Sequence, residues 1–270
     1  MARIDLPAGL RAETGSPWPG VRYFTTWRHG GASVAPFQSL NLGLHVSDDA
    51  SRVLENRRRL RLGLPGEPVW LDQVHGTAVC DVDCAVVSCG LGLDPGPGPG
   101  PGPTPPPCAD AAITMRRGRP LAILTADCLP VVLADQAGRV LGVAHAGWRG
   151  LLAGVLENTL AALRARQPLA QAWRAWIGPG IGPGAFEIGP EVRAQFLARD
   201  RQAARYFAPR PGSDRWLADL PGLAQDRLRR AGIDCIEVSE ACTYTQSRRY
   251  FSYRRQARTG RQATVAWLEP

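Results

Sequence analysis

Short apolar runs alternate along the chain with longer segments of helical period, and the two patterns together predict an α/β protein with mixed strand pairing. Val21 to Trp27 reads as a strand, Ala50 to Leu62 as an amphipathic helix begun near Ser47-Asp48-Asp49, and Pro68 to Val74 as a strand ending at His75. Val79 to Val87 is expected to follow as its hairpin partner. Ala111 to Thr114, Leu121 to Thr125, Val131 to Asp135 and Val140 to Ala144 predict further short strands, the last two joined by a tight turn at Gln136-Ala137-Gly138. Gly150 to Arg166 then predicts a helix, Ala172 to Ile177 a strand, Pro190 to Arg199 a helix, Leu217 to Ala231 a helix capped by Gly232, and Asp234 to Val238 a strand. Thr264 to Leu268 is expected to close the sheet.

One stretch breaks the pattern. Asp94 to Pro107 is a Pro-Gly tract that cannot build a sheet ladder, because proline lacks the donor N–H, and it reads as an exposed, disordered inserted loop. The rest of the 270 residues, 44% of them hydrophobic, suffices for one large core or two closely packed halves, and 1–270 reads as a single domain. No apolar run approaches the ~18 residues of a membrane span. The opening Met1-Ala2-Arg3-Ile4-Asp5-Leu6-Pro7 lacks the apolar core of a secretory signal, so the expected location is the cytoplasm.

Charge and cysteine content narrow the class further. The net charge is +8, yet every basic residue is arginine, the arginines are interleaved with acids, and no nucleic-acid motif is present, which argues against a nucleic-acid partner. Seven cysteines, an odd number without a paired framework, fit a reducing compartment. Cys80, Cys84 and Cys89 read as small side chains packing in a strand, and Cys108 and Cys235 as structural.

Candidate chemistry concentrates at three turns. His75, Cys128 and His145 each stand beside an apolar run, and two imidazoles with a thiolate form the ligand set of a catalytic zinc with its fourth position open. The chain has four histidines, so this reading uses two and leaves His29 and His45 in a polar N-terminal stretch. Cys128 and His145 fall at opposite ends of a predicted hairpin's strands. By residue type alone, a buried thiol and two unrelated histidines is the commoner account of such positions.

Ordered motifs decide between them. Thr26-Trp27-Arg28-His29-Gly30-Gly31-Ala32-Ser33, Ser39-Leu40-Asn41-Leu42-Gly43-Leu44-His45-Val46, Glu55-Asn56-Arg57, Gln73-Val74-His75-Gly76 and Ala109-Asp110-Ala111 are followed by Ala126-Asp127-Cys128-Leu129-Pro130, His145-Ala146-Gly147-Trp148-Arg149-Gly150, Ile177-Gly178-Pro179, Phe251-Ser252-Tyr253-Arg254-Arg255 and Thr259-Gly260-Arg261. In order and spacing they resemble the YfiH/laccase-domain family, also called polyphenol oxidase or peptidoglycan editing factor. The resemblance spans nearly the whole chain. It implies a four-layer α/β/β/α fold and a zinc-dependent purine nucleoside phosphorylase with adenosine deaminase side activity, the zinc held by His75, Cys128 and His145, and copper the less favoured metal. The substrates it implies are purine nucleosides and phosphate, with no nucleic-acid or membrane partner; the oligomeric state stays open. Gly184-Ala185 departs from the cysteines that relatives often carry there.

Within that reading each residue acquires a task. The thiolate and two neutral imidazoles leave zinc a net charge of about +1, enough to polarise a substrate oxygen or a water. Asp127 either orients a ligand histidine, acts on the purine as an acid, or simply binds its own turn. Phosphorolysis needs an anion held beneath the sugar, and Arg149, just after His145, is the leading phosphate ligand, with Arg57 and Arg28 behind it. Asn41 and Gln73 suit hydrogen bonds to ribose or base. Arg248, Arg249, Arg254, Arg255 and Arg261 read as charged edges of a last strand, with an anion site as the alternative, and Cys242-Thr243 as a packing pair. The rivals are a metal-free Cys-His hydrolase, a copper polyphenol oxidase, and a non-catalytic arginine-rich binding module.

Overall fold

The computed structural model describes residues 2–84 and 105–270. Two sheets lie face to face, each covered on its far side. Strand Leu129–Asp135 shows why: all seven residues are buried, as expected of a strand with packing on both faces. Val131 and Leu133 point into the core shared with the helices, whereas Val132 and Ala134 point into the core between the sheets. The same period of two splits Leu121–Thr125, with Leu121 and Ile123 between the sheets and Ala122 and Leu124 on the outer side with Leu60 of the first helix. The result is the expected α/β/β/α layering.

The inner sheet has six strands in the order Cys235–Val238, Trp173–Ile177, Leu129–Asp135, Leu141–Ala146, Ala111–Thr114, Val79–Asp81. Its two outermost pairings are parallel and its three inner ones antiparallel. The second sheet is antiparallel throughout, in the order Ala2–Asp5, Arg11–Thr14, Val21–Thr26, Gln262–Leu268, Leu121–Thr125. A three-stranded sheet of Glu187–Ile188, Trp216–Ala218 and Phe207–Pro209 flanks the helical side.

Several expectations change. Pro68 to Val74 is no strand: only isolated bridges at Val69 and Asp72 tie it down, because the Gln73 amide itself bonds the N–H and C=O of Leu124 at 2.8 and 2.9 Å, where a ladder would have run. Val79–Asp81 is not its hairpin partner but pairs in parallel with Ala111–Thr114, and an Asp81–Asp83 turn ends it. The remainder of that predicted strand, Cys89 and most of the Pro-Gly tract lie outside the described residues. The helix predicted over Gly150 to Arg166 is two, Trp148–Ala153 and Val155–Arg166, broken at Gly154 (φ 108°). Leu217 to Ala231 becomes Leu220–Arg230, since Asp219 caps the Gly222 N–H with Pro221 in the first turn while Trp216–Ala218 joins a sheet. Among the described residues no helix is long and apolar enough to cross a membrane.

Candidate metal centre

Antiparallel pairing makes neighbours of the two strand ends that carry Cys128 and His145. Leu129 pairs with Ala146 and Pro130 with His145, so the residue before one strand and the penultimate residue of the other share the open end of the hairpin. His75 arrives from the turn after Gln73, with a left-handed backbone (φ 61°). The three ligand atoms lie within 4.8 Å of one another, and His75 Nε2 stands 3.8 Å from Cys128 Sγ. A tetrahedral shell with bonds of 2.0 to 2.3 Å would space them by about 3.3 to 3.8 Å. Gly147 makes this convergence possible, because a Cβ there would sit 2.8 Å from His75 Cδ2 and 3.0 Å from Cys128 Sγ.

A buried carboxylate sets the cluster, and it carries no role in the sequence reading. Asp110, fully buried, accepts the His145 Nδ1–H at 2.8 Å and the backbone N–H groups of Val74, His75 and Gly76 at 3.2, 2.9 and 2.6 Å. One side chain thus fixes the turn that presents His75 and the ring of His145, leaving His145 Nε2 to face Cys128. A ligand histidine held by a carboxylate through its other nitrogen is the usual support of a metal site. The available signal is an acid in an otherwise apolar approach to Ala111–Thr114, within the Ala109-Asp110-Ala111 motif.

Electrostatics follow from this packing. Burial raises the Cys128 thiol, but the charges and hydrogen bonds of His145 and His75 outweigh it and hold Cys128 at about 6. Burial opposes charge on His145 as well, yet Cys128 and Asp110 push it up to about 9. Burial likewise disfavours the Asp110 carboxylate, and its donors from His145, Gly76 and Val74 keep it below the ordinary range. Without a metal, these mutual fields favour the thiolate and the imidazolium.

Above the cluster opens a cleft of about 480 Å³ lined by His75, Cys128, His145, Gln73, Asp127 and Arg149, together with His45, Trp148, Phe186, Tyr253, Arg254 and Arg261. Arg149 is the second residue of its short helix, exposed and stacked on Trp148 at 4.5 Å. Gln73 reaches the cleft with its amide committed to Leu124. Asp127 (φ 90°) binds neither a ligand histidine nor its own turn: its oxygens accept the Thr243 hydroxyl at 2.6 Å and the Arg254 N–H at 2.7 Å. Asn41 and Arg57 do not line the cleft. The Asn41 amide is spent on Gly43, Asp48 and the Arg261 N–H, and Arg57 lies over the Trp70 ring at 3.9 Å with its Nε donating to Leu42. Arg28, over Phe251, also lies elsewhere.

Two groups set aside in the sequence belong here. His45 lines the cleft, and burial followed by the Arg261 charge pushes it below the ordinary imidazole range. The C-terminal arginines are not edges of a strand: they ride on an irregular segment before Gln262–Leu268, which carries Tyr253, Arg254 and Arg261 into the cleft. Cys242 sits behind, its sulfur accepting the Gly182 N–H at 3.2 Å.

A four-layer α/β protein with a His-Cys-His cluster at one sheet end, beneath a cationic cleft, is the class defined by fold and site. The chain belongs to the family described as multi-copper polyphenol oxidoreductase laccase, whose model matches residues 22–269. It is 47% identical over 261 residues to a Xylella fastidiosa protein named purine nucleoside phosphorylase, covering 93% of this chain and 94% of that one. It is 42% identical to the Escherichia coli purine nucleoside phosphorylase YfiH, covering 93% and 96%. Among solved structures, a Neisseria meningitidis protein superposes with a TM-score of 0.83 at 38% identity, covering 97% and 99%. YlmD from Geobacillus stearothermophilus gives 0.78 at 29% identity, covering 97% and 96%.

Proposed function

We propose that this chain is a zinc-dependent purine nucleoside phosphorylase, cleaving adenosine, inosine, guanosine or methylthioadenosine with phosphate to the base and ribose-1-phosphate, with adenosine deamination as a side activity. The observation that carries the metal half is the convergence of His75, Cys128 and His145 within 4.8 Å, with Asp110 fixing one imidazole. One soft and two borderline donors with an open side suit zinc, and relatives named purine nucleoside phosphorylase supply the substrate class. Zinc held there supplies Lewis-acid polarisation of a substrate oxygen or of water.

The chain's own residues do the rest. In phosphorolysis a phosphate oxygen bonds to C1′ as the glycosidic C–N bond breaks and its electron pair leaves with the purine, through a sugar that carries positive charge. Arg149, Arg254 and Arg261 line the cleft as binders of the anionic nucleophile, and Phe186, Tyr253 and Trp148 offer faces on which a purine stacks. Asp127 positions rather than protonates, because both its oxygens already hold the C-terminal segment.

The thiolate–imidazolium pair gives a metal-free Cys-His hydrolase a specific basis, as the same arrangement activates a cysteine nucleophile. A copper polyphenol oxidase has less support: the blue-copper set wants an axial methionine, and Met115 packs against the helix-side core. The test is a turnover screen of metal-quantified protein on the four nucleosides with and without phosphate. Phosphate-dependent ribose-1-phosphate supports the proposal; free ribose, or base release independent of phosphate, contradicts it.

A further inference from the structure

Arg261 differs from every other arginine of the cleft in how it is held. Burial pushes its guanidinium below the ordinary range, and the negative groups whose fields it feels are Cys128 and Asp127. Neither neutralises it as an ion pair, since Asp127 is occupied by Thr243 and the Arg254 N–H. Among the described residues only Nη1 donates to the protein, to the Thr259 and Gly260 carbonyls at 3.1 Å each, which leaves the Nε and Nη2 donors of this cleft-lining side chain uncommitted. A half-buried cation without a counter-charge is costly unless an anion completes it.

The surrounding chain is shaped to keep it there. The Arg261 N–H donates to Asn41 Oδ1 at 2.9 Å, its carbonyl accepts the Leu42 N–H at 3.0 Å, and the Asn41 amide closes on Gly43 and Asp48. Gly43 packs beneath the stem, where an added Cβ would meet Arg261 Cγ at 2.9 Å and His45 Cε1 at 3.4 Å. This cradle accounts for Asn41 and Gly43 without giving either a contact to substrate. Arg149, by contrast, is exposed and, among the described residues, rests on Trp148, while Arg254 spends Nη1 on the Glu187 carbonyl. A fork fixed before binding loses less freedom on capture of a tetrahedral oxyanion than a mobile one.

From this arrangement we infer that Arg261, preset by Asn41 and Gly43 and flanked by His45, is the principal binding residue for the phosphate nucleophile in the cleft, and that the exposed Arg149 is an auxiliary. The inference rests on the phosphorolysis reading. On this assignment C1′ of the sugar faces Arg261, the residue that holds the attacking phosphate oxygen.

The test compares Arg261→Gln, Arg261→Lys and Arg149→Gln with the parent protein, each with zinc content measured. Inosine phosphorolysis is followed at varied phosphate, and phosphate binding is followed by calorimetry without nucleoside. Arg261→Gln should raise KM and Kd for phosphate by at least about tenfold, the scale of a lost charged contact, with KM for inosine and zinc content little changed. Arg261→Lys should recover part of that loss, and Arg149→Gln should change both constants about threefold or less. Phosphate constants unaltered in both Arg261 variants, while the parent phosphorolyses inosine, would overturn the inference alone; zinc lost with phosphate affinity intact would assign Arg261 to the thiolate instead. A parent protein that neither binds phosphate nor needs it would overturn the phosphorolysis reading and this inference together.

Discussion

The two sides of the cleft are built in opposite ways. The metal side stands on the ends of Leu129–Asp135 and Leu141–Ala146, strands buried at every position and locked by a ladder of paired residues. The facing side, which carries Tyr253, Arg254 and Arg261, is an irregular run with no strand or helix of its own. It is held by side chains instead: Arg255 donates to the carbonyls of Thr243, Tyr244 and Tyr250, Gln262 accepts the Phe251 N–H, and Tyr250 and Ser239 both donate to buried Glu13. Metal ligands need separations fixed to within a few tenths of an ångström, which paired strand ends help to supply. The facing residues are instead fixed one by one, through side-chain bonds that let an irregular backbone present Arg261 in a set position.

The largest effect is expected where the rigid side is broken. Cys128→Ala should abolish stoichiometric zinc binding and both phosphorolysis and deamination, since two histidines alone hold zinc poorly; metal analysis of the purified variant checks it. Asp110→Ala comes next, because it strips one carboxylate from four donors and leaves them buried. A loss of about 3 to 5 kcal/mol in unfolding free energy is expected, with zinc affinity down about 10- to 100-fold. Denaturant titration and chelator competition read the two losses separately.

On the irregular side, Asp127→Asn should be milder. The Thr243 and Arg254 donors lose a charged acceptor, a cost of about 1 to 3 kcal/mol, and KM for nucleoside should rise more than zinc affinity falls. Equal damage to both would mean that Asp127 serves the metal rather than the facing segment.

The metal-free protein offers a pH readout of the rigid side. The Cys128 thiol is depressed to about 6, so its stabilising contribution is lost as pH falls through that value. His145 is raised to about 9, so its contribution is lost as pH climbs through that one. The pair should therefore stabilise the metal-free chain between about pH 6 and 9, and alkylation of Cys128 should accelerate through about pH 6. Added zinc should suppress that alkylation. The smallest effect belongs to the Pro-Gly tract: replacing residues 94–104 with a short Gly-Ser link should change unfolding free energy by less than about 1 kcal/mol and leave turnover intact.

This contrast also explains what could be read from the chain before its structure. Leu121–Thr125, Leu129–Asp135 and the strand ending at Ala146 are legible as apolar runs, and their ends draw attention to Cys128 and His145, since a ladder declares itself in the local pattern. Asp110 was missed as a determinant because its four donors come from residues remote in sequence. Arg261 was read as a strand edge for the same reason: what sets it is the Asn41–Gly43 cradle, far away at the other end of the chain. Pro68 to Val74 forms no strand because a short apolar run cannot reveal that the Gln73 side chain takes the place of a backbone ladder.

The central claim joins the metal to the reaction, and one titration addresses it. Metal-depleted protein is given zinc in substoichiometric steps, and ribose-1-phosphate from inosine is measured at saturating phosphate. Turnover that climbs in proportion to bound zinc and stops rising at one zinc per chain is the predicted result. Full turnover before any zinc is added, or none at one zinc per chain, would contradict it.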